Sequence, residues 1–216
     1  MSVRTKYEKE LAEVFDKLNE MCLMTEEAIE KSVKALQTRD KELAREVIRE
    51  DKNIDDTERE IEHDCLRILL MERPVASDFR DVSAALKMIT DLERIGDQAE
   101  EIADIIGFID GHNPEDYVTL TEMAKAAIHM VTESIDAYVK HDTILAGKVV
   151  DEDDIVDEYF LQVKSKLIAK IAKDPDDGEY ALDLLMIAKY FERIGDHAVN
   201  IAEWVIFSVT GVHRGE

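Results

Sequence analysis

Five residues occur twice in this chain without a change, as Glu93-Arg94-Ile95-Gly96-Asp97 and as Glu192-Arg193-Ile194-Gly195-Asp196, an offset of 192 − 93 = 99 positions. In each copy Glu and Asp stand four apart, which on an α-helix puts both carboxylates on one side, one turn apart. The duplication reaches well beyond the pentapeptide. Setting Ser32 on Ser134, an offset of 102, also aligns Val33 with Ile135, Ala35 with Ala137, Asp40 with Asp142, Ala44 with Ala146 and Val47 with Val149. It then places Asp51 on Asp153 and Asp55 on Asp157, so each half carries a second acidic pair with the same spacing. The drop from 102 to 99 belongs in a connection, because the segments on either side keep their register. A chain built this way is two copies of one unit.

Hydrophobic periodicity says what the unit is. Tyr7, Leu11, Val14, Leu18, Met21, Cys22, Ile29, Val33 and Leu36 step by three and four, predicting a helix from Val3 to Leu36. Thr38-Arg39-Asp40 supplies caps for a second helix carrying Leu43, Val47, Ile54, Ile61, Cys65 and Ile68, which Pro74 stops. Ser77 or Asp78 is the expected cap of a third, with Phe79, Val82, Leu86, Ile89, Leu92, Ala99, Ile102 and Ile106. After Asp110-Gly111-His112-Asn113-Pro114, the strongest break in the sequence, the pattern resumes over about Val118–Lys140, Asp142–Ala172 and Glu179–Thr210. The expected fold is all-α: six helices in two tandem three-helix bundles, residues 1–110 and 111–216, related by the internal repeat.

Charge narrows the partners. With 27 Lys and Arg against 50 Asp and Glu the formal net charge is −23, which argues against nucleic acid and against electrostatic binding to anionic lipid. It favours metal ions or basic protein faces. The N-terminus meets charge too early for a signal h-region and no apolar run approaches the roughly 18 residues of a membrane span, so the expected location is cytoplasmic. Cys22 and Cys65 form no metal-ligand spacing and are expected as buried thiols.

The carboxylate pairs carry the chemistry. If the second and third helices of a half are antiparallel neighbours, Asp51 and Asp55 face Glu93 and Asp97, and Asp153 and Asp157 face Glu192 and Asp196. Glu101 and Asn200, four residues further on, offer a third rung. Four clustered anions call for cations; oxygen donors suit Mg, Mn or Ca, and carboxylate-bridged sites also hold Fe or Zn. On a helical wheel Glu93, Asp97, Glu100 and Asp104 form a strip bordering the core, so such a site is expected to be shallow. The competing reading is a solvated acidic face with local ion pairs, the default for Arg94 and Arg193. Gly96 and Gly195 lie inside helices at a cost of about 1 kcal/mol against Ala, which a close approach by another helix would explain. Enzyme signatures are missing: one Glu-x-x-His, Glu60 to His63, has no partner, and the six histidines do not recur in register.

Leu92-Glu93-Arg94-Ile95-Gly96-Asp97-Gln98-Ala99 and Phe191-Glu192-Arg193-Ile194-Gly195-Asp196-His197-Ala198, with Arg73-Pro74-Val75-Ala76-Ser77-Asp78-Phe79-Arg80 and Ala84-Ala85-Leu86-Lys87, resemble the PhoU family of phosphate-uptake regulators. The resemblance spans about Tyr7 to Thr210. It implies a cytoplasmic, non-enzymatic adaptor that represses the phosphate-starvation response, coupling the ATPase of a phosphate ABC transporter to a two-component sensor histidine kinase. It also implies a homodimer, and multinuclear metal clusters, Fe or Zn above all, on the acidic motifs named above. Asn200 stands where the first half has the acid Glu101, so the second site is expected to be weaker or to hold fewer ions. Two alternatives stand beside this reading: a carboxylate-bridged metalloenzyme, and a metal-free helical scaffold that binds basic partners.

Overall fold

The computed structural model describes residues 3–71, 75–109 and 114–212. Capping chemistry cuts both halves into helices at corresponding places. Helix α1 (Val3–Thr38) ends where Arg39 turns into the left-handed region at φ 56°, which lets the Asp40 N–H donate back to the Ala35 carbonyl over 3.0 Å. Asp40 then opens α2 (Lys41–Met71), its Oδ1 accepting from the Glu42 and Leu43 N–H groups at 3.0 Å each. After α3 (Ala76–Phe108) the same devices return. Helix α4 (Pro114–Lys140) ends at His141, φ 50°, where the Asp142 N–H reaches Ala137 O at 2.9 Å. Asp142 Oδ1 in turn accepts from Ile144 and Leu145 to start α5 (Thr143–Lys173). A short 3-10 turn, Pro175–Asp177, leads into α6 (Gly178–Thr210), which Gly211 closes at φ 75°.

Six helices are thus present as the periodicity predicts, and the described residues contain no strand. Two starts differ. Val75, extended and without a side-chain cap, occupies the position before α3, and Asp78 sits inside the first turn, where a carboxylate meets the positive end of the helix. Helix α4 begins at Pro114 rather than near Val118, because proline's missing N–H costs nothing in a first turn. The stop at Pro74 and the boundary between residues 110 and 111 lie outside the described residues.

Helices α1, α3, α4 and α6 pack together in the middle; α2 lies against α1 and α3, and α5 against α4 and α6. Buried side chains of all six join one core. At its centre α3 and α6 run antiparallel, and fully buried Leu92, Ile95, Ala99 and Ala103 are matched in the other repeat by Phe191, Ile194, Ala198 and Ala202. Each of the Leu, Ile and Phe side chains among them contributes roughly 1.5–3 kcal/mol by leaving water, and the alanines let the helices approach. Polar groups flank this buried stretch: His197 Nδ1 and Asn200 Nδ2 lie 2.9 and 3.1 Å from Asp91 Oδ1, and the Tyr190 hydroxyl donates to Glu101 Oε2 at 3.3 Å.

The outer helices are held by lysines of opposite placement. In the first half Lys31 of α1 reaches Glu46 and Glu50 of α2 at 2.9 and 2.6 Å. In the second half Glu133 stands at the place of Lys31 and Lys148 at the place of Glu46, and Lys148 of α5 lies 2.8 Å from Glu133 of α4. The same bridge is built with its polarity reversed.

Candidate functional site

The buried stripe of α3 (Leu92, Ile95, Ala99, Ile102) turns its flank, Glu93, Asp97 and Glu100, toward α2. On α2 the stripe Val47, Ile54 and Ile61 does the same for Asp51, Asp55 and Glu58. Between these helices carboxylates converge. Oxygens of Asp51, Asp97 and Glu100 lie within 4.8 Å of one another, all three residues half-buried. Gly96 is what permits the approach: a Cβ there would stand 2.9 Å from Asp51 Oδ1 and 3.0 Å from Ile54 Cδ1. The glycine of the pentapeptide and the aspartate of the preceding helix are one device.

The electrostatics follow from that crowding. Burial, then the charges of Glu100, Asp97, Asp55 and Glu93, push the Asp51 carboxyl up to about 7. Glu93, Glu100 and Glu58 are also raised, each by burial first; the next cause is Asp97 for Glu93 and Glu100, and Glu62 for Glu58. Compensation is partial. Arg94 lies 2.9 Å from Asp97, and Arg59 lies 2.8 Å from Asp55. Glu93 Oε2 is buried and makes no hydrogen bond among the described residues, although Arg94 Nε stands 3.4 Å away. A buried carboxylate oxygen without a donor is an uncommon expense for a native fold.

Between α5 and α6 the same frame returns with fewer acids. A Cβ on Gly195 would meet Asp153 Oδ1 at 3.1 Å and Val156 Cγ1 at 3.4 Å. Asp153 is raised to about 6 by burial and then by Asp157, Asp196 and Glu192. Burial and Glu192 raise Asp196, while Lys189 opposes the rise. The Lys189 ammonium bonds Glu192 directly. Asp157 and Asp196 are exposed, so this seam is the more open of the two.

The structure therefore brings Asp51, Asp55, Glu93 and Asp97 to one seam and Asp153, Asp157, Glu192 and Asp196 to the other. Glu101 and Asn200 join neither; they turn to the α3–α6 contact, toward Tyr190 and Asp91. Glu100 takes the third rung instead. At 100° per residue it returns to within about 20° of Glu93, whereas Glu101 lies about 80° round, so the acidic strip already carried this signal. Glu58, one turn beyond Asp55, was missed as well. A separate trio, His129, Glu133 and Glu152, gathers on α4 and α5, where Lys148 already supplies a cation 2.8 Å from Glu133 and 3.1 Å from Glu152. His63 is exposed beside Asp64. His112 and His213 lie outside the described residues.

The doubled three-helix frame finds its counterpart among known proteins. The chain matches the PhoU domain twice, over residues 18–106 and 120–205. It belongs to the PhoU family. Among its relatives, the phosphate-specific transport system accessory protein PhoU homolog of Aquifex aeolicus is 37% identical over 186 residues, covering 86% of this chain and 84% of the relative. The homolog of the same description from Clostridium acetobutylicum is 34% identical over 210 residues, 96% of each chain. The crystal structure of PhoU from Pseudomonas aeruginosa superposes with a TM-score of 0.90 at 35% identity, covering 95% of this chain and all of that one. That of the phosphate transport system regulatory protein PhoU from Streptococcus pneumoniae gives 0.89 at 26% identity, with 97% of this chain covered and all of that one.

Proposed function

We propose that this PhoU protein is a metal-binding regulatory adaptor that restrains phosphate uptake and the phosphate-starvation response, coupling the ATPase of a phosphate ABC transporter to a sensor histidine kinase. The coarser part rests on its relatives: the chain is an accessory protein of phosphate transport, and the relatives it matches are named as accessory or regulatory proteins rather than enzymes. No described helix is long and apolar enough to cross a membrane, and the proposed adaptor meets the bilayer through its partners. The proposed adaptor works in the cytoplasm as a homodimer. Exposed apolar side chains on α5 and α6, among them Leu161, Ile168, Leu182 and Met186, offer contact area for a partner.

The observation that carries the metal reading is the converging trio Asp51, Asp97 and Glu100 beside the donorless Glu93 oxygen, held together by the space that Gly96 leaves. The residues fit a cation: the donors are all hard oxygens, they exceed the nearby Arg and Lys charges, and one, Glu93 Oε2, accepts no hydrogen bond among the described residues. Asp51, Asp55, Glu93, Asp97 and Glu100 would hold ions in the first seam, and Asp153, Asp157, Glu192 and Asp196 in the second. Bound Fe, Zn or Mn would supply positive charge that neutralises the seam and presents open coordination positions to a partner. The ion pairs of Arg59, Arg94 and Lys189 favour the competing metal-free scaffold. Elemental analysis separates the two: the purified protein should carry metal, and Glu93→Ala with Asp97→Ala should lower the content; equal content in both sinks the metal reading. The regulatory reading fails if deleting the gene leaves phosphate uptake unchanged at high phosphate.

A further inference from the structure

Position for position, the two seams are not one site built twice. Under the offsets that superimpose the repeats, 102 for α2 on α5 and 99 for α3 on α6, Glu58 falls on Phe160, Glu100 on Val199 and Thr90 on Lys189. The first seam thus gathers Asp51, Asp55, Glu58, Glu93, Asp97 and Glu100, of which Asp55 and Asp97 pair with Arg59 and Arg94, whereas the second keeps Asp153, Asp157, Glu192 and Asp196, with Lys189 in place of an uncharged residue. That ammonium is placed, not merely nearby: Lys189 Nζ bonds Glu192 and stands 5.7 Å from the centroid of the Phe160 ring, the ring that replaces Glu58. Thr90, its counterpart, is exposed and carries no charge. Among the described residues a carboxylate trio with oxygens within 4.8 Å forms between α2 and α3 and none forms between α5 and α6.

The Lys189 ammonium, one turn along its helix from Glu192, satisfies that acid and repels the next positive charge, which leaves three acids in the second seam against four without a guanidinium hydrogen bond in the first. We propose that Lys189 is a built-in counter-cation that makes the two repeats unequal metal sites. The α2–α3 seam takes the multi-ion cluster; the α5–α6 seam takes fewer ions, and takes them only as Lys189 leaves Glu192. This rests on the metal reading above and assigns Lys189 a positioning role within it.

The experiment counts Mn(II) bound to the chelator-stripped full chain by equilibrium dialysis with electron paramagnetic resonance detection. Removing the first seam with Glu93→Ala plus Asp97→Ala should release more ions than removing the second with Glu192→Ala plus Asp196→Ala. In the background that lacks the first seam, Lys189→Thr should tighten the remaining binding about 10- to 100-fold, the usual effect of a group just outside a metal's ligands, and Lys189→Arg should not. Thr90→Lys should weaken the first seam by a similar factor. Both positions are solvent-accessible, and circular dichroism melts verify that the variants fold. Equal ion loss from the two seams, or no change with Lys189→Thr, overturns the inference while leaving the metal reading standing. No Mn(II) on any protein overturns both.

Discussion

At the scale of single residues the fold has traded helix propensity for a close approach, and the trade is measurable. Replacing Gly195 by Ala regains about 1 kcal/mol of propensity against contacts of 3.1 and 3.4 Å that small shifts relieve, so its urea midpoint should hold or rise slightly. Gly96→Ala meets Asp51 and Ile54 at 2.9 and 3.0 Å; overpacking of about 1–3 kcal/mol should win, and Mn(II) affinity should fall with it. Asp51 gives the pH dependence. Its carboxyl sits at about 7 folded against an ordinary 3.8, so between those values the folded, metal-free chain keeps a proton that the unfolded chain has lost. Raising the pH through that window therefore removes stability, and Asp51→Asn should flatten the trend in denaturation curves taken from pH 4 to 8. Loading the seam with metal should reverse it, because the ion displaces that proton. The sequence announced the repeated glycines as a cost seeking a reason; which aspartate supplied the reason was not legible, since it depends on the angle and height at which α2 crosses α3.

At the scale of helices, what was readable and what was not divides along local against tertiary chemistry. Asp40 was legible as a cap because a cap is a contact between neighbours in sequence; Asp142, read as the first residue of its helix, stands just before it as the same kind of cap. Asp40→Ala and Asp142→Ala should each cost about 0.5–2 kcal/mol in chemical denaturation, with similar losses at the two equivalent sites. The start of α3 was not legible, because Ser77 and Asp78 have the right chemistry and the chain entered the helix two to three residues earlier, at Val75. The third acidic rung shows the same limit. A spacing of four carried past Asp97 lands on Glu101, but a helix drifts by 40° over four residues, and the seam follows the cylinder to Glu100 instead. Glu101 and Asn200 share their polarity for a different reason, hydrogen bonds across the α3–α6 contact, which a comparison of the two halves by residue type alone does not separate from a metal ligand.

For the whole molecule the repeat fixed the number, type and order of elements, and periodicity fixed the buried faces, because both are properties of a single chain direction. How the halves meet came only from the structure: α3 and α6 share their buried faces, and the core runs through both repeats. The full chain should therefore unfold in one calorimetric transition, with van't Hoff and calorimetric enthalpies in agreement; two resolved transitions would contradict a shared core. A chain of two near-copies also faces a hazard while folding, since α2 and α5 have similar apolar faces and each can drift toward the other's berth. The reversed lysine bridges answer it. Docked on α4, α2 would bring Glu46 against Glu133; docked on α1, α5 would bring Lys148 against Lys31. At this contact each berth sets like charges against the wrong tenant, and opposite polarity works as a keyed connector that biases a duplicated sequence toward one order of assembly.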